Sequence, residues 1–129
     1  MKKALKIAGL LVLALAVTVT AALWSSIREL KKLAAEEILA PDLSDAADGT
    51  WRGRTDWKLI QVELDVTVRD GEITCIELIK HVNGRGAKAE AILDRILAAQ
   101  STDVDVISGA TFSSRAILHA VADALNNSK

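Results

Sequence analysis

From Ile7 to Trp24 the chain carries eighteen residues without a charge, a run that reaches about 27 Å as a helix and matches the hydrocarbon core of a bilayer. It predicts a transmembrane helix within residues 1–24. The pattern then changes: Ile27, Leu30, Leu33, Ala34 and Ile38 recur at helical spacing among Arg28, Glu29, Lys31, Lys32, Glu36 and Glu37. This predicts an amphipathic stalk from Ser25 to Ala40, ended by Pro41. Asp42 to Gly49 is poor in large apolar residues and reads as a link, so residues 25–44 form stalk and linker and the folded domain occupies 45–129.

Beyond the link the period shortens to two. Thr50 to Arg54 predicts a short strand. From Trp57 to Arg69, Ile60, Val62, Leu64, Val66 and Val68 alternate with Gln61, Glu63, Asp65, Thr67 and Arg69, which predicts a strand with one buried face. Asp70-Gly71 is the favoured dipeptide of a type I′ hairpin turn, and Ile73 to Lys80 is the returning strand, with Arg69 facing Glu72 across the turn. Ala89, Ile92, Leu93, Ile96 and Leu97 return to helical spacing, Gln100 to Asp103 break it, and Val104 to Ile107 predict a short apolar strand. Ala116, Ile117, Val121 and Leu125 mark a final helix. The predicted class is α+β: a small antiparallel sheet packed with two helices, preceded by a single N-terminal transmembrane helix.

Charge and composition narrow the function. The chain has 129 residues, with sixteen basic residues against seventeen acidic ones and no long basic block, so nucleic-acid binding has no electrostatic footing. Cys75 is the only cysteine, which excludes an internal disulfide and a CxxC redox pair; its place in an apolar strand pattern predicts a core filler. Lys2, Lys3 and Lys6 ahead of the apolar run favour a cytoplasmic amino terminus and an extracytoplasmic domain, partly offset by Arg28, Lys31 and Lys32. A cleaved signal peptide with Thr20, Ala21 and Ala22 at its processing site is the competing reading. The run is longer than the usual h-region of roughly 7–15 residues, which favours an uncleaved, single-pass anchor in the cell membrane.

One stretch is crowded with hydroxyls. Asp105-Val106-Ile107-Ser108-Gly109-Ala110-Thr111-Phe112-Ser113-Ser114 closes an apolar run and opens the last helix. Ser108, Thr111 and Ser113 beside a helix N-terminus make a seat for a phosphate, where unpaired N–H groups and the helix dipole favour an anion. The plainer reading is that they cap the helix. A second glycine loop, His81-Val82-Asn83-Gly84-Arg85-Gly86, also leads into a helix. There Arg85 offers a bidentate phosphate partner or a solvated charge, Asn83 an amide partner, and His81 a ligand donor or simply the end of the strand. His119 lies off the apolar stripe of its helix and is expected to be exposed. Two isolated histidines give no zinc spacing. The chain contains no GxxxxGK[ST], GxGxxG, GxSxG or HExxH pattern.

The stretch from Asp105 to Ser114, with its aspartate six residues before Thr111 and its S-G-A-T core, resembles the flavinylation motif of the FMN-binding domain family. That family includes the C subunit of the sodium-translocating NADH:quinone reductase and the G subunit of the related electron-transport complex. D-G-T-W at Asp48 to Trp51, the D-G hairpin, H-V-N-G-R-G at His81 to Gly86 and Q-S-T-D-V-D at Gln100 to Asp105 resemble the family in the same order. The resemblance implies FMN joined covalently to Thr111 through a phosphoester by a separate flavin transferase that uses FAD. It assigns Asp105, Ser108, Gly109, Ala110 and Ser113 to the acceptor loop, and His81, Asn83, Gly84 and Arg85 to the loop over the flavin. It implies a modified threonine and no catalytic residue: a membrane-anchored electron carrier between a membrane redox partner and an extracytoplasmic acceptor, rather than an enzyme turning over its own substrate. The alternatives are a sensor module that binds FMN or a nucleotide reversibly, and a stalk protein whose hydroxyl loop only caps a helix.

Overall fold

A computed structural model describes residues 1–39, 41–82 and 86–129. The chain divides into two compact units, Met1–Leu33 and Ala34–Lys129. In the first, helix α1 begins at Lys2 and runs unbroken to Ala35, just inside the second unit. The apolar run and the first two thirds of the predicted stalk are therefore one helix, which stops well before Pro41. It is long and apolar enough to cross a membrane, and none of its residues is buried.

The second unit is built on three strands, β1 (Gly49–Asp56), β2 (Gln61–Arg69) and β3 (Glu72–Val82), in the order β1-β2-β3 with both pairings antiparallel. The alternation in β2 becomes burial: Val62, Leu64, Val66 and Val68 are buried and the residues between them are not. At the hairpin, Asp70 (φ 51°) and Gly71 (φ 75°) both take the left-handed conformation that a type I′ turn requires. Arg69 pairs with Glu72. The Asp48 carboxylate, just before β1, accepts the Asp70 N–H at 2.9 Å and ties the turn to the start of that strand. Residues 57–60 do not extend β2 as the alternation suggested. They turn, with the Trp57 N–H donating to Ile60 O and Lys58 at φ 61°.

Helix α2 (Ile92–Ala99), preceded by a 3₁₀ segment (Gly86–Ala91), packs on β3, while helix α3 (Thr111–Asn126) packs on β1 and β2. Ala116, Ile117, Leu118, Ala120, Val121, Ala124 and Leu125 of α3 are buried with Ile92 and Ile96 of α2. The outer face of the sheet is polar. There Arg52 forms a two-pronged pair with Asp65 at 2.7 and 2.9 Å, and hydrogen bonding by that guanidinium holds the Asp65 carboxyl below the usual range.

Two expectations fail for identifiable reasons. Cys75 is exposed and fills no core. Pairing shifts between Val68 and Thr67, and again between Leu64 and Glu63, each leave one β3 residue without an opposite partner. The first shift sets Cys75 opposite outward-facing Thr67 while Ile73 stays opposite buried Val68. The second error concerns Val104 to Ile107, which form no strand. Arg95 of α2 donates to the carbonyls of Asp105 and Val106 at 2.9 and 3.3 Å, so this segment's hydrogen bonding is with a helix side chain.

Candidate functional site

The hydroxyl-rich loop is a tight turn held from the helix it introduces. Ala110 N–H donates to Ile107 O at 3.0 Å, with Gly109 at φ 80° in the third position, the geometry of a type II turn. The Ile107 N–H donates to the Ser114 hydroxyl at 3.0 Å, and Ser114 N–H starts the helix ladder on Ala110 O at 2.9 Å. Ser114 is fully buried. It is a staple that sequence reasoning left out of the site, as it left out Arg95. A hydroxyl inside a helix gives no sign of which loop amide it meets.

The capping explanation does not hold. Ala110 is the cap residue of α3 and offers no side-chain hydrogen bond. Among the described residues, neither Ser108 nor Thr111 nor Ser113 bonds the opening amides of the helix. A helix starts with N–H groups that have no partner inside it. Here the end is uncapped, Thr111 stands exposed at its first position, and Ser108 and Gly109 are exposed beside it. A Cβ built on Gly109 meets nothing within 4 Å, so glycine serves the turn and leaves open space above it. Ala110 and Ser113 are buried below. Asp105 is exposed at the loop's entrance; its carbonyl receives Arg95, and among the described residues its carboxylate has no hydrogen bond.

His81 lies at the end of β3 opposite Val62, which in turn pairs with Thr55; Thr55 and Val62 face the core, and His81 falls in the same row. Its side chain is 2% exposed, and Nδ1 lies 3.1 Å from Glu90 Oε1 on the 3₁₀ segment. That segment packs against α3, the helix that begins at Thr111. Asn83, Gly84 and Arg85, the rest of the expected second loop, lie outside the described residues.

His119 is half-buried rather than exposed. Its ring meets the edge of Trp57, with centroids 5.4 Å apart and planes at 68°. Burial depresses its basicity and the Arg115 cation depresses it further, while Glu36 opposes both. Among the described residues no group of histidine, cysteine, aspartate or glutamate side chains could hold a metal ion.

The site thus consists of an exposed threonine hydroxyl, an uncapped helix start favouring an anion, and a glycine turn with space above it. Comparison with known families finds one matching description, "FMN-binding domain", over residues 57–126, from the β1–β2 turn to the end of α3. No curated protein matches the chain.

Proposed function

Because this chain belongs to the FMN-binding domain family, we propose that it is a membrane-anchored flavoprotein that carries FMN covalently on Thr111 and passes electrons outside the cytoplasm. The observation that supports this most directly is the uncapped start of α3 with Thr111 exposed at its first position. A phosphate esterified there would lie against the free N–H groups and the positive end of the helix dipole. Gly109 leaves room for it, and buried Ser114 and exposed Arg95 hydrogen-bond the loop backbone without occupying the seat.

Attachment balances as a phosphoryl transfer. The Thr111 Oγ1 replaces the adenylate at the FMN phosphorus of FAD, forming the threonyl phosphoester and releasing AMP; the hydroxyl proton passes to a base of the transferase. Thr111 is then a modified residue and not a catalyst. The flavin supplies the redox chemistry when bound. The protein holds it, with His81, Asn83, Gly84 and Arg85 as the companion loop and Asp105, Ser108, Ala110 and Ser113 shaping the acceptor turn. The helix Lys2–Ala35 supplies the span, and Lys2, Lys3 and Lys6 favour an inward amino terminus. The partners are a membrane redox donor and an extracytoplasmic acceptor.

The test is co-expression with a flavin transferase and separation on a denaturing gel viewed for flavin fluorescence. The wild-type band fluoresces and Thr111→Ala falls to background. A dark wild-type band whose native protein nonetheless binds FMN would favour the reversible sensor. Equal fluorescence in Thr111→Ala would move the attachment to another hydroxyl.

A further inference from the structure

Arg115 stands one helical turn after Thr111 on α3 and does not point into the acceptor loop. Its Nε donates to Ala34 O at 2.5 Å and its Nη2 to Glu36 O at 2.6 Å. Near the other end of the same helix, Asn126 Nδ2 donates to Leu39 O at 3.0 Å. The segment 34–39 is therefore strapped along α3 from the end that bears Thr111 to the end that does not. The His119 ring, also on α3, adds a hydrogen bond to the Glu36 backbone. Glu36, Glu37 and Leu39 are exposed, Ile38 is only half-buried, and a cavity of about 580 Å³ lies between Ile38, Thr102, Val104, Arg115 and Leu118. Among the described residues the Arg115 guanidinium meets no carboxylate; both of its hydrogen bonds go to backbone carbonyls of the strap.

We propose that Arg115 is a latch that seats residues 34–39 on α3 and so fixes the start of the membrane tether one turn from the cofactor acceptor. Thr111 and Arg115 are four residues apart, about 6 Å along the helix axis. While the latch is closed, the free tether ends at Ala34. Opened at Arg115 with Asn126 still holding Leu39, the chain from Ala34 to Leu39 adds up to about 18 Å of reach at 3.3–3.6 Å per residue. Its use, setting which partners the cofactor can approach, rests on the flavin reading; the latch itself does not. The two side chains have a division of labour. Arg115 holds the near end, where displacement moves the tether's origin, and Asn126 holds the far end, where it does not.

The test uses the full chain in detergent micelles, with nitroxide labels on Cys75, the single exposed cysteine, and on Glu37→Cys, read by pulsed dipolar spectroscopy. The wild type gives one narrow distance distribution. Arg115→Ala broadens it several-fold toward longer distances, and Arg115→Lys, which keeps the charge without the fork, recovers part of the narrow population. Should Arg115→Ala fail to fold, Asn126→Ala is read in its place and broadens the distribution less. Arg95→Ala, an arginine that also binds backbone carbonyls but off the strap, leaves it narrow. A broad wild-type distribution, no change in the Arg115 and Asn126 variants, or equal broadening in Arg95→Ala would overturn the latch. The measurement needs no flavin, so a wild type dark on the denaturing gel would sink the flavin reading and leave the latch result standing.

Discussion

Gly53 has no side chain because α3 occupies the place where one would go. A Cβ built there comes within 1.8 Å of Ala120 O and 2.7 Å of Ala124 N, both backbone atoms with nowhere to retreat. Gly53→Ala is expected to lower stability by about 3 kcal/mol, read as a lower urea midpoint at unchanged slope. A glycine inside a strand hints at close approach, yet nothing in the sequence says that α3 is what approaches, since that contact joins residues far apart in the chain. His119 was misread for a similar reason: its distance from the apolar stripe suggested solvent, but Trp57 closes over it from the β1–β2 turn. Because burial and Arg115 lower its folded pKa below the ordinary 6.5, the folded state binds fewer protons than the unfolded chain in that region. The stabilisation is complete above the unfolded value and is lost as pH falls through the folded one. Urea midpoints are therefore expected to drop between about pH 7.5 and pH 5, and His119→Gln should flatten that drop; an unchanged slope would mean other groups set it.

Elements with a local cause were legible. The β2–β3 hairpin follows from period-two burial and a dipeptide that tolerates positive φ at both turn positions, and α3 follows from its apolar spacing. What could not be read was how β3 departs from regular pairing, because bulges leave no mark in hydrophobicity; that is why Cys75 was assigned inward. The edge of β3 shows another device of this kind. Gln100, in the left-handed conformation at the end of α2 (φ 52°), accepts the Ile73 N–H at 2.7 Å and donates to Ile73 O at 3.0 Å and Leu97 O at 2.8 Å. One side chain thus pairs with a strand edge as a neighbouring strand would, and closes a helix as well. Gln100→Ala leaves these groups unpaired in a part-buried setting and is expected to cost about 1–3 kcal/mol, with faster hydrogen exchange at the Ile73 amide than at Val66. Equal protection at Ile73 in both proteins would show that water replaces the amide without cost.

At the scale of the whole molecule, the sequence separated a helix long and apolar enough to cross a membrane from a folded unit, and its hydroxyl motif falls at the start of α3, because charge-free length and a short hydroxyl motif are both local properties. Where the folded unit begins was harder to see. The composition of Asp42 to Gly49, with Leu43 its single large apolar residue, points to a boundary near Asp45, and the larger compact unit spans Ala34–Lys129. Within residues 34–39, the carbonyls of Ala34, Glu36 and Leu39 accept hydrogen bonds from Arg115 and Asn126 of α3, a form of attachment that carries no side-chain signature in the strap itself. Two truncated chains separate these views. One beginning at Ala34 keeps the Arg115 and Asn126 contacts and should unfold in a single cooperative transition. One beginning at Asp45 leaves the Arg115 guanidinium without its two carbonyls and uncovers Ile38's seat beside Leu125; it should lose about 2–3 kcal/mol while keeping the near-ultraviolet signal of Trp57 against His119. If the two chains melt together, segment 34–44 is held too weakly to matter for stability. If the shorter one fails to fold at all, the strap belongs to the core of the domain, and the boundary suggested by composition lies inside the folding unit.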